Sequence, residues 1–169
     1  MNIFVLDEDP WTAAAWAADR HSVKMPLESA QLLCTALASH GVLDTPYKPT
    51  HKNHPCTVWT ALNRENFDWL CMHGYALCKT YQLRYGKEHK CLAVIEWCEQ
   101  NRLYIPEGKR TPWAICMGEE YKVGEDVVAS YRQYYKIGKT YMNKGSGPQW
   151  ECFKPSNISY FVKSCIIHD

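Results

Sequence analysis

Long apolar runs are missing from this 169-residue chain. None approaches the ~18–20 consecutive residues that a bilayer-spanning helix needs, so no membrane partner is expected. The first nine residues lack a basic n-region and already include Asp7, Glu8 and Asp9. That opening does not read as a secretory leader, and a cytoplasmic setting is expected. A surplus of one charge is lacking too. Lys and Arg number 19 against 18 Asp and Glu, a net charge of +1. That balance excludes a protein that coats nucleic acid by bulk charge and leaves only a local basic patch for such a role. There is no repeat, no low-complexity tract and no C-x-x-C among the nine cysteines. Their number is odd, and Cys71–Cys78 and Cys91–Cys98 have helical same-face spacing. These thiols read as small buried hydrophobes, not as a disulfide framework.

What is present is apolar mass. Hydrophobic residues make up 46% of the chain, with 7 Trp and 11 Tyr, enough for one packed core in about one domain's length. Residues 2–6 form a short apolar run, read as a strand or an extended arm. Asp9 before Pro10 is a helix start, since the side chain caps and the proline lacks only an N–H that would be orphaned anyway. Helices are expected over 11–20, 24–39, 63–85, 88–100 and 125–142, with Pro26 in the first turn of the second or kinking it. Asn63 should cap the third and Gly86 should end it. Residues 44–58, with three prolines, read as a long irregular loop of the kind that is often functional. From about residue 144 the chain reads as an irregular tail. The expected fold is a single, mainly α, compact helical domain with a short N-terminal extended segment.

Four constellations could carry chemistry. His21, Lys24, Glu28 and Gln31 stand three and four residues apart, spacing that lines them along one helix face among apolar neighbours. A carboxylate there can act as a general base tuned by Lys24 and by burial; it can equally complement the positive end of its helix. The loop carries His51, Lys52, Asn53, His54 and Cys56. Two imidazoles and a thiol invite zinc, but no partner pair elsewhere has conventional spacing, so no metal is expected. A substrate-facing loop, or a turn in which His54 bonds to backbone, is preferred. Arg84, Lys87, His89 and Lys90 flank Gly86 at a helix–helix junction, where cations beside backbone N–H groups can grip phosphate. Arg132, Tyr135 and Lys139 lie in an aromatic and basic stretch suited to stacking and phosphate contact, or to ordinary amphipathic packing.

The extended run, the first helix, and His21 followed by Glu28 resemble the start of phage endonuclease V, the pyrimidine-dimer DNA glycosylase/lyase family. Tyr134-Tyr135-Lys136-Ile137-Gly138-Lys139 is similar to that family's late aromatic and basic segment. The resemblance covers roughly the first 40 residues and 131–141. It implies an endonuclease V-like helical scaffold without metal or other cofactor. It also implies attack on the sugar C1′ by an N-terminal α-amine, with Glu28 assisting and His21 matching a family histidine. Asn2 is too large for efficient removal of Met1, so the amine would be that of Met1. The family's arginines flanking the glutamate are absent: Leu27 and Gln31 stand near those places, with Lys24 the only nearby cation.

Three functions follow. The first is a glycosylase/lyase that flips a base out of DNA and uses Glu28, His21, Lys24 and the Met1 amine. Its DNA contacts would come from Gln31, Lys52, Asn53, His54, Arg84, Lys87, His89, Lys90, Arg132, Tyr135 and Lys139. The second is a phage-type DNA thymine hypermodification enzyme, with an amino acid co-substrate displacing an activated 5-methylene substituent. The third is a non-catalytic module that binds nucleic acid or a host protein. Because a carboxylate repels phosphate, a nucleic-acid site at Glu28 needs the 51–56 loop and the 84–90 cluster on its own face, within about one Debye length, ~8 Å.

Overall fold

Polar side chains just before prolines start two helices of this chain. In the computed structural model, which describes residues 1–142, the Asp9 carboxylate accepts the Thr12 N–H at 2.7 Å. This opens α1, Pro10–Ala15, with the proline in the first turn. His54 does the same by another route. Its Nδ1 accepts the Cys56 N–H at 3.2 Å and opens α3, Pro55–Leu62. The end of the expected irregular loop is therefore helical, because an imidazole at the N-cap stands in for the usual short oxygen acceptor.

Helix α1 stops earlier than expected. The Arg84 guanidinium donates to the carbonyls of Ala15 and Ala17 at 3.0 and 2.7 Å, satisfying groups that a longer helix would have used internally. The chain then turns into α2, Asp19–Ser39, with acidic Asp19 complementing its N-terminus. Pro26 thus lies inside the helix, not in its first turn. Helix α4, Arg64–Tyr85, begins and ends as expected. The Asn63 carbonyl oxygen accepts the Asn66 N–H at 2.9 Å, and Gly86 takes a left-handed φ of +69°. The next helix, α5, runs Leu92–Gln100, shorter than 88–100. His89 holds the junction as a turn, accepting the Cys91 N–H at Nδ1 and donating from Nε2 to the Val23 carbonyl at 2.9 Å. Capped by Asp126, α6 spans Val127–Gly138 and is followed by a 3-10 turn, Thr140–Met142.

Helix α4 is the hub and packs against α1, α2, α3 and α5. Its inner stripe, Phe67, Leu70, Cys71, Leu77 and Cys78, is buried. Gly74 is there because of a close approach. A Cβ at that position would lie 3.0 Å from Ile95 Cδ1 and 3.2 Å from Ser29 Cβ. The N-terminal run is an extended arm, not a strand. Ile3, Phe4, Val5 and Leu6 are all buried in the core, and no strand occurs among the described residues. Nor is any described helix long and apolar enough to cross a membrane. The described residues form a mainly α fold. Cys152, Cys165 and the expected irregular tail lie outside them.

Candidate functional site

Burial of the arm carries the first backbone atoms to Glu28. This side chain is buried on α2, and one of its carboxylate oxygens accepts the Asn2 N–H at 2.9 Å. The same oxygen lies 4.0 Å from the Met1 amine. The other oxygen meets Lys24 Nζ at 3.2 Å, one turn away on α2. The Lys24 side chain is 68% exposed against 11% for Glu28, so the lysine marks the solvent side of a mostly buried carboxylate. Asn2 fixes the arm in this place. Its amide nitrogen donates to the Cys116 carbonyl at 2.6 Å, and its oxygen accepts the Tyr131 hydroxyl at 2.6 Å.

His21, on the same helix, is held differently. Its Nδ1 is 2.5 Å from the Tyr135 hydroxyl, which also accepts the Ala18 N–H at 3.4 Å. Burial pushes the Tyr135 phenol up, so that hydroxyl keeps its proton and gives it to Nδ1. The imidazole then presents Nε2–H as a donor. Burial also pushes His21 down to about 3, with Lys139 and Lys24 adding to the effect, so the ring is neutral near pH 7. Phe4 covers it at 4.1 Å between ring centroids. Phe4 has a φ of 56°, a left-handed conformation that disfavours any residue with a Cβ. Its ring also contacts Tyr131, Tyr134 and Tyr135 on α6. Lys139 lies above the Phe4 and Tyr134 rings, 5.9 and 5.0 Å from their centroids.

The start of α3 adds a third group. His54, Cys56 and Cys116 offer ligand atoms within 4.8 Å of one another, and the two sulfurs are 3.5 Å apart. The thiol–thiol contact pulls Cys116 down to about 7 and pushes Cys56 up. Burial lowers His54, with the Met1 amine adding to the shift and Glu28 opposing it. The Cys56 end of the 51–56 loop thus joins the Glu28 site through Cys116 and Asn2.

The other expected contacts are dispersed. Gln31 is half-buried, while Lys52, Asn53, Lys87 and Lys90 are exposed. Arg84 belongs to the fold, with its side chain only 14% exposed and its guanidinium on backbone carbonyls and Asp19. His89 is likewise used in its turn. Arg132 donates to the Leu6 carbonyl and to Asp7 and covers the Trp16 ring. Tyr135 is wholly buried. Each of these four has its polar group engaged within the fold. The 84–90 junction also does not share the Glu28 face. It packs at Val23, five residues from Glu28 and so about 140° around the helix. Asn2, Tyr131, Phe4 and Cys116 carry no local pattern that marks them in the sequence, because each acts through a contact with a distant segment. Comparison with protein-family models, curated proteins and solved structures finds no match.

Proposed function

We propose that this chain is an enzyme acting on bases in DNA, of the glycosylase/AP-lyase type, on an endonuclease V-like scaffold. The observation that carries the reading is the 4.0 Å approach of the Met1 amine to the Glu28 carboxylate. A buried carboxylate beside a primary amine can take the ammonium proton and free the nitrogen lone pair for attack. The amine adds to C1′ as the base departs, and the ring-opened imine then loses the 3′ phosphate by elimination. Glu28 is held for this role by Asn2 and Lys24, whose bonds fix both of its oxygens. His21 donates from Nε2 toward the substrate, and Lys24 and Lys139 offset the negative charge of the backbone.

Borohydride reduction tests the proposal. Incubated with duplex DNA containing an abasic site, the protein should yield a covalent adduct. Glu28→Gln should lower the yield by about 10²–10⁴-fold, the range for removal of a general acid–base group. Wild-type protein that binds the DNA and gives no adduct would remove the lyase chemistry.

A second reading has its own support. Lys24 and Lys139 both bias the neutral His21, and two cations beside an N–H donor suit a departing phosphate. The same pocket would then transfer an amino acid amine to an activated 5-methylene pyrimidine in DNA, with Glu28 deprotonating the incoming amine. Nucleoside mass spectrometry of DNA from cells with and without the protein separates the two, because only the transferase adds mass to the base.

A further inference from the structure

Two pairs of thiols meet in this protein, and they differ in their surroundings. Cys34 and Cys98 touch at 3.6 Å and are both fully buried. Cys56 and Cys116 touch at 3.5 Å with an imidazole beside them, and Cys116 is only half-buried. We propose that His54, Cys56 and Cys116 form a zinc site with its fourth position open to water. The proposal concerns residues that the Glu28 chemistry does not use, and it stands whatever that pocket acts on.

The donor set selects the metal. Two thiolates with an imidazole favour zinc over the hard, oxygen-seeking cations, and three protein ligands with one open position is the usual arrangement of a zinc ion that holds water. The geometry is close to what is needed. With zinc–sulfur bonds of about 2.3 Å, a tetrahedral pair of sulfurs lies ~3.8 Å apart, against 3.5 Å here. The imidazole must close in by about an ångström from the 4.8 Å limit of the group to reach a zinc–nitrogen bond. His54 has room to do so, being half-buried at the end of an exposed loop. Ligation takes one ring nitrogen's lone pair and leaves the proton on the other. The 3.2 Å bond from the Cys56 N–H to Nδ1 is therefore given up on binding. Each thiol releases its proton to solvent as its sulfur binds, so no oxidant or reductant is involved. Asn2 joins the site to its neighbour, since it donates to the Cys116 carbonyl and to Glu28.

Cobalt reports the site directly. Reduced, metal-free full-length protein should take up one equivalent of Co²⁺, with a sulfur-to-metal charge-transfer band and the intense visible bands of tetrahedral cobalt. One equivalent of Zn²⁺ should bleach both. Cys116→Ser should abolish the tetrahedral spectrum while its far-ultraviolet circular dichroism stays that of the wild type. Cys34→Ser and the double variant Cys152→Ser/Cys165→Ser should keep the spectrum. Should buried Cys56→Ser fail to fold, Cys116→Ser and His54→Ala still decide the matter. Folded wild-type protein that shows no saturable cobalt uptake overturns the proposal, and so does a folded Cys116→Ser with unchanged bands.

Discussion

Tyr135 sets the state of His21 by a single hydroxyl. It accepts the Ala18 N–H and meets Nδ1 at 2.5 Å, so one oxygen serves two buried groups. Tyr135→Phe keeps the ring and leaves both partners unmatched. A loss of about 1–3 kcal/mol is expected in urea unfolding; an unchanged midpoint would show that the hydroxyl carries no such role. The buried imidazoles also fix the response to acid. His21 and His73 are both pushed down to about 3, chiefly by burial. In the unfolded chain they return to the ordinary value near 6.5. Between those limits the unfolded state binds more protons, so this stability is complete above about pH 6.5 and is lost as the pH falls toward 3. Each residue contributes a slope of up to ~1.4 kcal/mol per pH unit. His73→Phe retains the ring stacked on Trp69 and removes one titrating group. Its unfolding free energy should fall less steeply than that of the wild type between about pH 6 and pH 4. Equal slopes would mean that His73 is not buried neutral.

Among the elements, α4 depends on a glycine at the point where three helices meet. Gly74→Ala would put a Cβ 3.0 Å from Ile95 Cδ1, and overpacking of this kind costs about 1–3 kcal/mol. Adding Ile95→Val removes the methyl that clashes and should restore part of the loss in thermal unfolding. No restoration would place the strain at Ser29 instead. The helices also show which features are legible in a sequence. Asn63 and Gly86 mark the ends of α4 because capping and left-handed turns are chemistry of the residue itself. The end of α1 is not legible, since Arg84 reaches it from 69 residues away. The late start of α5 is hidden for the same reason, as His89 bonds to α2. In the site, Lys24 and Glu28 can be paired from helical spacing alone. In the sequence, the nearness of Met1 to Glu28 is expected only through a resemblance, and Cys116 lies 60 residues from Cys56 with no motif to join them. Arg84 and Arg132 read as phosphate contacts, and Tyr135 as either a stacking ring or a core residue, because a cation or phenol in an amphipathic stretch has the same pattern whether it binds outward or inward.

In the whole molecule, the arm is what turns a helical core into a candidate site. It enters as a run of four buried apolar residues, brings a backbone amine to a carboxylate on α2, and is clamped by Asn2 between α2, α6 and the loop at Cys116. On the proposed function, the near-neutral charge of the chain leaves the DNA contacts to a few lysines, of which Lys139 and Lys24 both act on the imidazole of His21. Replacing both by alanine should weaken binding and reduce its salt dependence by up to about 0.9 in log–log slope for each phosphate no longer neutralised on duplex DNA. A slope that does not change would move the DNA to another face. A non-catalytic module would instead bind equally well with Glu28→Gln and form no covalent species.

If the Met1 amine is the attacking group, the covalent adduct must be found on it, and mapping the attachment site decides the matter. Protein reduced with borohydride on abasic DNA should be digested and the modified peptide sequenced by mass spectrometry. The adduct is expected on the α-amine of the peptide that begins at Met1, and is expected to be lost when that amine is acetylated beforehand. An adduct on the side chain of Lys24 or another lysine, with the Met1 peptide unmodified, would contradict attack by that amine.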